Sequence, residues 1–141
     1  MNKRITEFLK KKGISIDLVN KLTDSSTTLH LRELNLQGND MIVISEILNE
    51  EENNLKSISF SYNKIGDLGA IALAKNLPLS LHEIGLVGCG IEDTGGREIL
   101  TSIKALPNIQ MICMEQNNFS TALQLEFNEY EKKNPQILVI I

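Results

Sequence analysis

Few side chains in this 141-residue chain could carry covalent chemistry, since it holds two cysteines, two histidines and no tryptophan. Cys113 with His82 is the pairing to weigh, a thiol nucleophile with an imidazole base, which must lie within hydrogen-bond reach of each other. Glu33 and Glu83 could act as a general acid and base if held at the separation inverting glycosidases use. Gly88-x-Gly90 offers a glycine-rich turn, without the further glycines and the lysine of a phosphate loop. Cys89 and Cys113 have no Cys-x-x-Cys spacing and no histidine cluster nearby, so neither a zinc site nor a disulfide framework is expected, and no metal or cofactor. Whether any of these groups meet depends on the elements that carry them.

Those elements repeat. Leu31-x-x-Leu34-x-Leu36-x-x-Asn39-x-Met41 is followed by Leu55-x-x-Ile58-x-Phe60-x-x-Asn63-x-Ile65. Leu81, Ile84, Leu86, Cys89 and Ile91 fill a third copy, and Ile109, Ile112, Met114, Asn117 and Phe119 a fourth. Ile137 and Ile140 start a fifth. First positions are separated by 24, 26, 28 and 28 residues, within the ~20 to 29 of leucine-rich repeats. Each unit reads as an apolar strand of period two followed by a helical segment, as in Gly69 to Leu77 before Pro78 or Gly95 to Ile103 before Pro107. Strands alternating with helices require a parallel sheet. The helix of the first unit is the least patterned, with Ile44, Ile47 and Leu48 and no leading glycine in this frame.

Ile65-Gly66-Asp67-x-Gly69-Ala70 and Ile91-Glu92-Asp93-x-Gly95-Gly96 resemble the ribonuclease-inhibitor-like class of leucine-rich repeats, over residues 31–141. The resemblance implies an α/β solenoid, right-handed, with a curved parallel sheet on the concave face and helices on the convex face. It also implies that Asn or Cys at the turn caps backbone groups of neighbouring repeats. In composition, this short, Asn- and Ile-rich chain resembles secreted effectors of intracellular bacteria. Residues 1–28 lie outside the frame. Ile5, Phe8 and Leu9 before Gly13, then Leu18, Val19 and Leu22 after Ser15, predict two short helices that cap the exposed end of a repeat domain spanning 29–141.

Alternation places the residues between the core leucines on the open face. This frame predicts Glu33, Asn35 and Gln37 on the first strand, then Ser57, Ser59 and Ser61 with Tyr62 beyond. Glu83, Gly85 and Val87 come next, then Met111, Cys113 and Glu115, and finally Val139 and Ile141. The expected partner-binding set is Glu33, Asn35, Ser59, Tyr62, Glu83, Val87, Met111, Cys113, Glu115, Val139 and Ile141. Apolar members gather in the C-terminal half, and an apolar patch on an open sheet invites a partner; Val139 and Ile141 could instead complete the core or self-associate. The same geometry argues against catalysis. His82 would lie roughly 11 Å from Cys113, His30 farther, and Glu33 and Glu83 would be solvated charges roughly 10 Å apart.

A net charge of −4 with mixed signs excludes the basic stripe that nucleic acids need. No stretch approaches the ~20 apolar residues of a membrane span, and the start MNKRITEFLKKKGIS lacks a signal peptide's apolar run. A soluble cytoplasmic protein, monomeric when unbound, is expected, or one delivered to a host cytosol by a route that reads no N-terminal signal. Its expected role is noncatalytic: binding another protein, and inhibiting or regulating it by occluding an enzyme's active site. The alternatives are an adaptor that recruits a signalling protein and an enzyme using Cys113.

Overall fold

The computed structural model describes residues 2–141. Two helices, α1 (Asn2–Lys11) and α2 (Ile16–Leu22), precede five strands that alternate with four helices. These are β1 (Thr28–His30), α3 (Gly38–Glu50), β2 (Ser57–Ser59), α4 (Gly66–Ala74), β3 (Glu83–Gly85), α5 (Asp93–Ile103), β4 (Met111–Cys113), α6 (Thr121–Lys133) and β5 (Leu138–Ile140). The strands form one sheet in sequence order, every pair parallel. Order and pairing make an α/β solenoid, with the helices in a second layer behind the sheet.

The core lies between the layers. The middle residue of each strand (Leu29, Ile58, Ile84, Ile112 and Val139) points into it and is at most 9% exposed. From the helices come Met41, Ile44, Leu73, Ile99, Ile103, Leu123 and Phe127. Close helix packing depends on missing side chains: a Cβ on Gly95 would stand 2.6 Å from Asp67 Oδ1 and 3.0 Å from Asp67 Cα, so α5 can lie against α4 only with glycine there.

Two ladders of polar side chains stitch the repeats. In one, Asn63 is buried, with Oδ1 accepting from the Leu34 and Leu36 amides at 2.9 and 3.0 Å. Its Nδ2 donates to the Leu31 and Phe60 carbonyls at 2.7 and 2.9 Å. Asn117 repeats the pattern on Cys89 and Ile91. Cys89 takes the intervening place with its thiol donating to the Phe60 carbonyl at 3.4 Å, and burial pushes that thiol up to about 11.

In the other ladder, an aspartate in the first turn of a helix accepts the amide at the next repeat's helix start. Asp67 takes Glu92 N at 2.8 Å, and Asp93 takes Ser120 N at 2.8 Å and Ser120 Oγ at 2.5 Å. The Ser120 hydroxyl and amide, with Arg97 nearby, hold the Asp93 carboxyl below the ordinary aspartate range. A depressed native pKa contributes stability above the unfolded value, lost as pH falls through the folded one. Thermal melts of the wild type and Asp93→Asn should therefore differ at pH 5 and converge on acidification below about pH 4. A gap that widens as the pH falls below the ordinary aspartate range would contradict that assignment.

α1 and α2 cover the β1 end. Ile5, Leu9 and Val19 are fully buried in the same core, Gly13 turns the chain at φ 89°, and Ser15 Oγ accepts the Leu18 amide at the start of α2. Arg4 to Glu50 at 2.9 Å and Lys12, just past α1, to Asp40 at 3.0 Å tie the cap to α3.

Two details of the repeat frame are corrected. Leu29, rather than Leu34, pairs with Ile58, so the first strand sits five residues earlier than the 31-34-36 spacing predicts. The run Leu29-x-Leu31-x-x-Leu34-x-Leu36 keeps the apolar spacing of the strand, although Ser26 falls at its first position and Leu34 at its cap. What decides is the distance to α3, because this register aligns Met41 and Ile44 with the helix residues Ala70 and Leu73 of the next repeat. α3 is fully formed over thirteen residues, with Gly38 to Asp40 in its first turn. At the other end Val139, rather than Ile140, pairs with Ile112. A one-residue slip exchanges the faces of a strand.

Candidate functional site: the concave face

Strand register and the backbone bonds continuing beyond it define three rows of side chains crossing the open face. The first row is Thr28, Ser57, Glu83, Met111 and Leu138, and the second is His30, Ser59, Gly85, Cys113 and Ile140. Bonds from Glu33 N to Ser61 O, Tyr62 N to Val87 O and Gly88 N to Glu115 O carry the ladder one step further. They place Arg32, Ser61, Val87 and Glu115 in a third row.

The middle row is low, and it floors a trough of about 380 Å³ bounded by the other two. Its floor is fixed by internal bonds: Ser59 Oγ donates to Ser61 Oγ at 3.2 Å, and Ser61 Oγ accepts the Val87 amide at 3.0 Å. A Cβ on Gly85 would lie 2.8 Å from Ser59 Oγ, so the centre of the sheet carries no side chain. Tyr62 closes one wall. Its φ of 62° belongs to a turn repeated at Glu33, Gly88 and Gln116, and its ring lies beside Gly88 with the Arg32 guanidinium 5.4 Å from its centroid.

Of the expected contact residues, Ser59, Tyr62, Glu83, Val87, Met111, Cys113 and Glu115 line this trough together. Four do not. Glu33 and Asn35 sit in the turn after β1 with φ of 53° and 55°, because the strand ends before them, and Gln37 is the N-cap of α3. Val139 points into the core, and Ile141 packs against the core's edge. In their places the structure presents His30, Arg32, Leu138 and Ile140. The sequence carried the first two in the alternative leucine frame, and the last two in the single-residue ambiguity of Ile137-Leu138-Val139-Ile140-Ile141.

The chemistry of this face is that of contact. Cys113 and His82 line different cavities, the latter beside Pro107 and Gln136. Burial, then Glu115 and Glu83, push the Cys113 thiol up, which lowers its thiolate fraction and hence its reactivity. One serine does touch a histidine. His30 Nε2 lies 2.8 Å from Ser57 Oγ, which donates to Glu83 Oε2 at 3.3 Å. In a hydrolytic triad the carboxylate orients the imidazole, whereas here it takes the serine proton. Neighbouring strand amides are spent in the sheet and cannot form an oxyanion hole. Burial lowers the His30 pKa. Among the described residues no group of three or more His, Cys, Asp or Glu side chains is placed to hold a metal ion, and no helix is long and apolar enough to cross a membrane.

Consecutive parallel strands, one buried apolar residue per strand, helices behind and asparagine caps between repeats define a leucine-rich-repeat solenoid. A family profile described as Leucine Rich repeat matches residues 29–42 and 52–74, the first segment starting at the structural β1 core residue. Among solved structures, one titled Leiomodin-1 Actin-Binding Site 2 (ABS2) is similar, with a TM-score of 0.69 and 14% identity, covering 96% of this chain and 75% of that one. No curated protein sequence matches.

Proposed function

We propose that this chain is a noncatalytic interaction module that binds a partner protein on its concave face and regulates it. The observation that carries the reading is the trough: seven side chains from three strands and a turn converge on an open surface with an apolar wall, without groups arranged for turnover. In support, a structure of the same fold is titled as a binding site, for actin in that protein. Five strands at ~4.8 Å and about five residues at ~3.3 Å give a sheet face of roughly 320 Å², against the ~800 Å² per partner of a typical specific interface. The turns at Tyr62–Lys64, Gly88–Gly90 and Gln116–Asn118 therefore join the contact. An aromatic with a polar tip suits the centre of an interface, and Tyr62 is placed for that role. The two versions of the role are occlusion of an enzyme's active site and recruitment of a signalling protein.

Affinity capture with mass spectrometry identifies the partner, and Val87→Glu with Met111→Glu tests the face. Both side chains are partly exposed, so the double variant should keep the wild-type circular dichroism. It should lose affinity on the order of a hundredfold, as for removal of two central contacts. Unchanged affinity in calorimetry would move the interface elsewhere. Partner activity at saturation then separates the versions, since inhibition requires it to fall.

A further inference from the structure

Charge is ordered along the trough. At the β1 end stands Arg32, beside the imidazole of His30, and Arg32 makes no ion pair among the described residues. Toward β3 and β4 stand Glu83 and Glu115. Glu115 Oε1 is buried from solvent and has no hydrogen-bond partner among the described residues, so one carboxylate oxygen beside the trough lacks a donor. At β5 the face turns apolar, with Leu138 51% exposed. The opposite signs stand about 12 Å apart, with the Ser59, Gly85 and Ser61 floor between them.

Resting on the concave-face reading above, we infer that the trough receives an extended segment of the partner. That segment crosses the strands with an acidic side chain over Arg32, a Lys or Arg side chain four residues away against Glu83 and Glu115, and an aliphatic side chain near Leu138, just past the β4 end of the trough. The spacing follows from the sheet. From β1 to midway between β3 and β4 is two and a half strand spacings of ~4.8 Å, about 12 Å, which an extended chain covers in about four residues at ~3.3 Å each. The even interval keeps both charged side chains on the same side of the segment. Extended conformation follows from size. A trough of about 380 Å³ over the ~14 Å from β1 to β4 has a mean cross-section near 26 Å². An α-helix of ~10 Å diameter needs about three times that. Strand addition is excluded within the trough, because the segment runs across the strands and their backbone groups are already paired.

The test is a selection of random twelve-residue peptides displayed on phage against the full chain, repeated on Glu83→Lys with Glu115→Lys. The expected wild-type consensus is an acid and a base four residues apart, in either chain direction, with an aliphatic residue beyond the base. A synthetic consensus peptide should bind the charge-reversed variant about tenfold more weakly, and exchanging the peptide's base for Glu should restore binding. Enrichment of peptides that lack the charge pair, that space it seven or eight residues apart as a helix would, or that bind the reversed variant equally overturns the inference. So does the enrichment of no peptide. Consensus peptides that bind the Val87→Glu with Met111→Glu variant undiminished would instead overturn the concave-face reading itself.

Discussion

Asn63→Ala is expected to destabilise the protein by about 3–5 kcal/mol, because it strands two amides and two carbonyls inside the solenoid. A buried polar group left unpaired costs ~1–3 kcal/mol, and partial relaxation or an entering water recovers some of the sum. Loss on that scale is a large share of the 5–15 kcal/mol by which domains are stable. Urea denaturation would measure it. Asn117→Ala breaks equivalent bonds at a more exposed turn and should cost about half as much, since water can reach the stranded groups there. Cysteine occupies this ladder position in the third repeat and supplies a donor, so Asn63→Cys should be milder than alanine. A cost under about 1 kcal/mol for Asn63→Ala would mean the caps are incidental.

Phe127→Ala should cost about 3–5 kcal/mol, as expected for truncating a fully buried aromatic. The loss should be local. α6 is anchored to the core chiefly by Leu123 and Phe127, and Phe127 meets Phe119 with ring centroids 5.8 Å apart. Outside the core the Arg97 and Glu126 ion pair is exposed, and exposed pairs contribute little. In a solenoid each repeat is held by its neighbours alone, so a weakened last repeat can open while the rest stays folded. Hydrogen exchange should accelerate at Leu138–Ile140 and in α6, with the amides of β2 and β3 unchanged. Uniform acceleration across all five strands would show that the chain unfolds as a single cooperative unit. Asn63 joins the first repeat to the second, so its alteration should accelerate exchange first at β1 and α3.

The second, third and fourth repeats were readable in sequence because several independent features agreed on one frame. In the second, Leu55, Ile58, Phe60, Asn63 and Ile65 fix the strand, the cap and the helix entry, and Pro78 ends the unit. Ser59, Glu83, Val87, Met111, Cys113 and Glu115 follow from alternation alone, and with Tyr62 of the following turn they meet at one trough. The ends were different. Leu29, Leu31, Leu34 and Leu36 fit two registers, with Leu34 standing where the other repeats carry the asparagine or cysteine cap, so the frame that placed Glu33 and Asn35 on the sheet had no local contradiction. At the C-terminus five consecutive apolar residues, 137 to 141, erase the alternation from which inward and outward faces are told apart.

By itself, then, the sequence determined the repeat, the parallel sheet backed by helices, and the interior of the concave face. Each of these depends on local spacing, which is written in the order of residues. Tertiary structure decided the register of the two outermost strands, because register is settled by what the neighbouring strand offers. β1 pairs where Leu29 meets Ile58 and α3 can bury Met41 and Ile44, and β5 pairs where Val139 fills the core. Those two choices put Arg32 and His30 at one end of the trough and Leu138 on the face beyond the other, and so the order of charge across the face became visible only in three dimensions.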